Sequence, residues 1–185
     1  NILSFCDRLL PSGRYVSCDY GTQNATVFLL WNKGTDGVWY CIREYYYSGR
    51  TEGKQKTDSE YADDLESWLE GTKIKGIIVD PSAASFIAEL RKRGYKVVKA
   101  KNNVEDGIRV VGTKLNQEAI IFADSCVNTI QEFGSYIWDE AAAAHGEDRP
   151  VKEHDHAMDA LRYFVYTILN NQTAICLLYT SPSPR

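Results

Sequence analysis

The sequence predicts an α/β domain whose mixed sheet begins with three antiparallel strands, continues with parallel strands and is flanked by helices. Three early segments, residues 15–19, 26–31 and 38–47, are rich in Val, Ile, Tyr, Phe and Trp, as strands usually are. Further along the chain, short apolar segments alternate with amphipathic ones, which is typical of parallel strands joined by helices. The length of 185 residues suits one such domain.

Each predicted element rests on a local pattern. Turn-like residues at 21–24 and 32–37 predict hairpins between the first three strands. The run at 76–80 is apolar up to its final residue, Asp80, which predicts a central strand buried on both faces, and a further strand is predicted at 95–99. Helices are predicted at residues 57–70, 82–94, 104–115, 127–136 and 155–170.

Composition and charge narrow the classes of function. The net charge of −4, from 21 basic and 25 acidic residues, does not indicate a polyanion as partner, so any DNA contact must come from a local basic patch or from bound cations. The five cysteines form no C-x-x-C pair, which argues against a zinc ribbon or a disulfide framework. No apolar run approaches the ~20 residues of a membrane span, so no membrane partner is expected.

Three aspartates stand where chemistry is expected: Asp19 ends the first strand, Asp80 ends the buried strand and Asp159 lies in the last helix. Carboxylates at the ends of adjacent strands, faced by a helix that crosses the sheet, can converge on divalent cations. Such cations polarise a phosphate, generate hydroxide from water and stabilise the departing oxygen. The positions therefore predict metal-dependent phosphodiester hydrolysis. Each aspartate alone also fits a structural role, as a turn residue or a helix cap.

The last predicted helix carries a polar face beside its apolar stripe. Asp155, His156 and Asp159 share this face, which places an acid and an imidazole side by side near the helix N-terminus. The arrangement predicts a metal ligand with a neighbouring proton-transfer group, His156. The alternative is that both acids only interact with the helix dipole. With His145 and His154, His156 does not complete a zinc motif, because a third well-spaced ligand is missing.

Basic residues are concentrated between positions 91 and 101, where no acidic residue occurs. Such a run is ordinarily a solvated helix end and loop. It is also the best candidate in this sequence for contact with DNA phosphates. The candidate contacts are Arg93, Lys96, Lys99 and Lys101.

Four segments, residues 18–24, 79–85, 146–152 and 155–163, give the stretch 15–169 a clear resemblance to a known family. The stretch resembles the C-terminal nuclease domain of the large terminases of tailed phages and prophages. The resemblance implies an RNase H-like fold and two divalent cations, Mg²⁺ or Mn²⁺. It also implies a catalytic triad of metal ligands at Asp19, Asp80 and Asp159, with His156 as the supporting histidine.

The resemblance further implies a role and partners. The domain would hydrolyse concatemeric double-stranded viral DNA during genome packaging, in the cytoplasm of the host bacterium at the procapsid portal. A complete large terminase would also carry an N-terminal packaging ATPase domain and would bind a small terminase subunit and the portal protein. We accordingly expect residues 1–14 to be a linker remnant from that missing ATPase domain and residues 15–172 to be the nuclease domain. Residues 173–185 are expected to be a tail, since its end resembles a translated sequencing adapter.

Three alternatives remain at the level of sequence. Another enzyme of the same fold, such as a transposase, integrase or resolvase, would use a similar acidic set. The segment 19–22 resembles the first phosphate motif of actin-like ATPases and sugar kinases, although those proteins need two lobes. Finally, the domain could be a non-catalytic module that docks on the portal, in which case the carboxylates would only cap helices.

Overall fold

The fold is built on one mixed sheet of six strands, seen in a computed structural model that describes residues 9–21, 24–135 and 155–170. The order across the sheet is β5-β4-β1-β2-β3-β6. In this part of the chain the strands are β1 (Leu9–Asp19), β2 (Ala25–Gly34), β3 (Trp39–Ser48), β4 (Ile77–Val79), β5 (Val97–Lys99) and β6 (Ile120–Phe122).

The strand directions agree with the predicted order of antiparallel and then parallel pairing. β1, β2 and β3 form an antiparallel meander, while β4 and β5 add in parallel on the β1 side. β6 adds in parallel to β3 and was not predicted. Its three residues lie at the sheet edge with Ile121 exposed, so neither length nor alternation distinguishes them from a loop.

Six helices connect and cover the strands in the described ranges. They are α1 (Gly49–Glu52), α2 (Asp58–Leu69), α3 (Ala84–Lys92), α4 (Val104–Asn116), α5 (Val127–Ser135) and α6 (His156–Phe164), and α6 continues as a π-helix, Val165–Leu169. All the predicted helices are present, and only the short α1 was not predicted. The start of α2 shows why these boundaries form. Thr57 and Glu60 make a reciprocal capping box there, which satisfies two backbone N–H groups that would otherwise lack partners.

Strand β2 is buried on both faces and divides the core in two. Its residues alternate: Val27, Leu29 and Trp31 pack on the side of α6, whereas Phe28 and Leu30 pack on the side of α2 and α3. This period of two is what a central strand with helices on both faces requires. The ring of Trp31 stacks on that of Phe164 at a centroid distance of 4.3 Å, which anchors α6 against the sheet. Among the residues described, no helix has the length and apolar character needed to cross a membrane.

Candidate active site

The site begins at the carboxyl ends of β1 and β4, two parallel neighbouring strands inside the sheet. Cys18 of β1 pairs with Val79 of β4 in parallel register, so Asp19 and Asp80 follow side by side. Cys18 and Val79 both pack in the core on the α2 and α3 side. Because side chains alternate along a strand, the two aspartates are directed to the opposite face, which α6 covers. The strand register therefore brings together two of the three predicted aspartates.

The first turn of α6 supplies the other predicted groups. Nδ1 of His156 lies 3.0 Å from Oδ2 of Asp19, across 137 residues of sequence. Asp159, one turn further along α6, lines the same cavity as Asp19, Asp155 and His156. The end of β1 therefore contacts the polar face of α6 that the sequence predicted.

The cavity at this junction has a volume of about 800 Å³ and is largely polar. Its acidic wall comes from β1 and α6. The other wall is formed by the end of β3, the short α1 and the start of α5, and it contains Ser48, Arg50, Thr51 and Asn128. Among the described residues that line the cavity, Arg50 is the only Lys or Arg. The described part of the cavity therefore combines several carboxylates with the guanidinium of Arg50.

Asp80 lies beside this cavity and does not line it. Its Oδ1 accepts a hydrogen bond from the backbone N–H of Ser82 at 2.8 Å, and its Oδ2 accepts one from the Asn102 side chain at 3.2 Å. Burial alone would raise the pKa of Asp80, but these hydrogen bonds and the Tyr163 hydroxyl outweigh it and lower the pKa below its ordinary value. Asp80 is therefore held as a carboxylate.

The hydroxyl of Tyr163 on α6 is under the electrostatic influence of all three aspartates. Burial raises the pKa of its phenol, and the charges of Asp159, Asp19 and Asp80 raise it further. Three carboxylates from distant parts of the sequence thus lie within electrostatic range of the same hydroxyl group.

The surroundings of Asp19 and Asp159 raise the pKa of both carboxyl groups. Burial raises the pKa of Asp19 to about 6; the hydrogen bond with His156 opposes this rise and the charge of Asp159 adds to it. Burial also raises the pKa of Asp159, which Arg162 opposes. The hydrogen bond to Asp19 raises the pKa of His156 despite its burial. Each carboxylate would be more easily ionised if a cation lay between them.

The donor set fits a hard divalent cation better than zinc. Within the ranges the structure describes, no three His, Cys, Asp or Glu side chains form a ready-made metal cluster. Asp19, Asp155 and Asp159 nevertheless offer carboxylate oxygens to one cavity, and oxygen ligands are those that Mg²⁺ and Mn²⁺ prefer. Burial raises the pKa of Asp19 and of Asp159, neighbouring carboxylates raise both further, and a bound cation would offset these effects.

Residues that support the site were missed by the sequence interpretation. Arg162, whose side chain is only 4% exposed, donates from Nη2 to Oδ1 of Asp159 at 2.7 Å. Its Nη1 donates to the Asn102 carbonyl at 2.9 Å. Glu132 of α5 contacts the start of α6. Arg162 lies in the segment 155–163 that carries the family resemblance, but nothing in the local sequence distinguishes a buried Arg or Glu from a solvated one.

The predicted DNA contacts lie apart from the cavity lining. Arg93 donates to Glu89, Asp63 and Ser59, and also forms an ion pair with Glu66; these contacts fix it between α2 and α3 and weigh against phosphate binding. Lys96, Lys99 and Lys101 are exposed and stay candidates. The motif at 146–152, together with His145 and His154, lies outside the described residues.

Comparison with known proteins points to one family. No family model matches the chain. The chain is 27% identical over 157 residues to the terminase large subunit of Escherichia phage T5, covering 83% of this chain and 34% of that protein. It is 58% identical to the large terminase of a thermophilic bacteriophage solved in complex with ADP, with a TM-score of 0.83 over 85% of this chain and 40% of the other.

A third similarity concerns the fold alone. The large terminase nuclease of thermophilic phage G20c with bound cobalt has a TM-score of 0.61 at 17% identity, and the match covers 87% of this chain and 84% of that one. The chain thus spans well under half of the whole large subunits it matches but nearly all of an isolated nuclease domain. The predicted RNase H-like fold is confirmed, and the chain is related to the large subunit of phage terminase over the region that corresponds to its nuclease domain.

Proposed function

We propose that this domain is a metal-dependent endonuclease that hydrolyses phosphodiester bonds of double-stranded DNA during phage genome packaging. The observation that carries the proposal is the contact between His156 and Asp19, which brings α6 and its Asp159 to the end of β1 in one polar cavity. Capping roles for the carboxylates would not require these residues to share a cavity. The relationship to large terminases supports the same reaction.

Asp19 and Asp159 would hold the divalent cations, two Mg²⁺ or Mn²⁺ ions, with Asp80 as the third acidic group. Bound cations of this kind supply Lewis-acid activation of the phosphate and of water. Arg162 donates a hydrogen bond to Oδ1 of Asp159, which would orient Oδ2 to bind a cation. The hydrogen bonds that keep Asp80 ionised serve the same purpose. The cobalt-bound G20c nuclease domain, which shares the fold, supports the choice of a divalent cation.

His156 would move a proton during hydrolysis. One ring nitrogen, Nδ1, is engaged with Asp19, which fixes the orientation of the imidazole. The other nitrogen, Nε2, is then the group that can exchange a proton in the cavity. Asp19 therefore both contributes an oxygen to the cation site and orients the histidine.

The DNA backbone would enter along the wall opposite the carboxylates. Arg50 on this wall is the cationic group best placed to attract a phosphate toward the acidic side chains. Lys96, Lys99 and Lys101 would extend the contact to phosphates outside the cavity. Placement on DNA would also depend on partners, because the net charge of −4 gives little general attraction to a polyanion.

In the whole protein, we propose that the domain works with a packaging ATPase domain, a small terminase subunit and the portal protein. Its place would be the host bacterial cytoplasm, at the procapsid portal. These partners rest on the relationship to whole large subunits, of which this chain covers well under half.

The test is cleavage of supercoiled plasmid in Mn²⁺. We expect nicked and linear products from the parent protein and none in EDTA. Asp19→Asn and Asp159→Asn should abolish cleavage while keeping the fold, as judged by circular dichroism. Asp124→Asn, which changes an exposed aspartate elsewhere, is the matched control and should cleave like the parent. If the cavity variants cleave as well as the control, the assignment of Asp19 and Asp159 to the cutting centre is wrong. If the parent itself does not cleave, the nuclease assignment is wrong and a docking module is favoured.

A further inference from the structure

The helix that carries the site is capped by a residue of another helix. Glu132 lies on α5, and its side chain is largely buried, with the residue only 4% exposed. Its Oε2 accepts hydrogen bonds from the backbone N–H groups of Ala157 at 2.7 Å and Met158 at 3.1 Å. Its Oε1 accepts a hydrogen bond from the Tyr46 hydroxyl on β3 at 2.9 Å. One carboxylate therefore joins α5, the sheet and the first turn of α6.

This arrangement differs from ordinary helix capping. The first N–H groups of a helix are usually satisfied by the side chain of the N-cap residue, and Asp is among the preferred residues there. Asp155 occupies the N-cap position of α6 but makes no capping hydrogen bond with its side chain. Its side chain lines the cavity, while Glu132 takes the N–H groups. The cap from α5 thus allows Asp155 to contribute to the acidic wall.

A buried carboxylate is costly unless its oxygens are hydrogen-bonded, and here three donors and the positive end of the α6 dipole compensate. The same contacts fix the rotation of α6. One residue corresponds to a rotation of roughly 100° about the helix axis, so a slip of the first turn would remove His156 from Asp19. The rotation of this turn therefore decides whether the site assembles.

We infer that Glu132 is a positioning residue, which fixes the first turn of α6 so that His156 contacts Asp19 and Asp159 faces the cavity. The effect of Glu132 on catalysis rests on the proposed nuclease function. The structural part of the inference, the capping of α6 by a residue of α5, does not depend on that function and is measured in the metal-free protein.

The structural part is tested by amide hydrogen exchange, measured by NMR on the 20.9 kDa chain without metal. In Glu132→Ala we expect exchange at Ala157 and Met158 to accelerate about tenfold or more, because both N–H groups lose their acceptor. In Glu132→Gln the amide oxygen can still accept both hydrogen bonds, so protection should largely return.

The catalytic part is tested by plasmid cleavage with the same variants. We expect Glu132→Ala to lower kcat about 10- to 100-fold with little change in KM, since DNA binding is retained and the site is misaligned. Glu132→Gln should recover most of kcat. The matched control is Thr57→Ala, which removes the cap of α2 and destabilises the fold without touching α6. At assay temperatures well below its Tm, Thr57→Ala should have the same kcat as the parent.

The results separate the two claims. Unchanged exchange at Ala157 and Met158 in Glu132→Ala would overturn the inference, and so would a Glu132→Gln variant that keeps the amides protected but loses as much activity as Glu132→Ala. If Glu132→Ala does not fold, Glu132→Gln decides: protected amides with near-parent kcat support positioning, and either loss contradicts it. If the parent itself never cleaves DNA, the nuclease proposal fails while the exchange measurement still tests the cap.

Discussion

Arg162 and Asp159 lie one turn apart on α6, and the guanidinium Nη2 holds Oδ1 of the carboxylate at 2.7 Å. The same guanidinium reaches the carbonyl of Asn102, whose side chain donates to Asp80. Two of the three aspartates are therefore oriented by one connected set of hydrogen bonds that is not itself part of the acidic cluster.

The first prediction concerns this guanidinium. Arg162→Ala should lower kcat about 10- to 100-fold, because Asp159 loses the donor that orients it and the charge that lowers its pKa. The measurement is plasmid cleavage together with Mn²⁺ affinity by calorimetry. Arg109→Ala is the control, since within the described residues that exposed arginine forms ion pairs with acidic residues of its own helix, α4. Equal activity of the two variants would contradict a role for Arg162.

The second prediction uses two glycines of α4. A Cβ at Gly107 would lie 2.6 Å from Cγ of Arg162 and 2.7 Å from its Cδ, whereas a Cβ at Gly112 would meet nothing within 4 Å. Gly107→Ala should therefore displace Arg162, lower Tm and reduce cleavage. Gly112→Ala should raise stability by up to about 1 kcal/mol through helix propensity. Thermal unfolding of both variants checks this, and a stable, fully active Gly107→Ala would show that Arg162 can shift without consequence.

The third prediction concerns pH in the metal-free protein. Burial raises the pKa of Asp19 from 3.8 to about 6 in the folded state, so the folded state binds this proton more tightly than the unfolded state. Its contribution to stability is fully present below pH 3.8 and is lost as pH rises through about 6. The pKa of His156 is raised as well and acts in the same direction at higher pH. In EDTA, Tm should therefore fall more steeply with rising pH for the parent than for Asp19→Asn; parallel curves would contradict the raised pKa.

The fourth prediction concerns DNA contact. Arg50→Ala should weaken DNA binding and reduce the slope of log K against log salt by about 1, because one phosphate contact is lost. The cleavage step itself should change little once DNA is saturating. Lys92→Ala, an exposed cation on α3 that lies away from the cavity lining, is the comparison. Identical salt slopes for the two variants would show that the phosphate does not approach along the wall that contains Arg50.

Much of this arrangement was accessible from sequence because it follows from periodicity and position. The continuous apolar run that ends at Asp80 predicted a strand buried on both faces, and the polar face of the last helix predicted that His156 and Asp159 lie together. The local pattern could not reveal which donors hold each carboxylate. Asp80 keeps its charge through Ser82 and Asn102, and these contacts depend on loop geometry.

Long-range contacts explain the remaining differences. Glutamate ordinarily faces solvent, and only the approach of α6 makes Glu132 a cap. Arg93 belongs to a basic run, but its guanidinium forms ion pairs with acidic residues of α2, which are distant in sequence. In both cases the sequence gives the residue type but does not reveal the residue that it contacts.

The separation of 137 residues between Asp19 and His156 has a consequence for biosynthesis. A nascent chain emerging from the ribosome contains the whole meander, and even β6, before α6 has been translated. Until α6 docks, Asp19 has neither its imidazole partner, His156, nor the carboxylate of Asp159 that shares its cavity. Under the proposed function, an incomplete polypeptide would therefore have no assembled cutting centre.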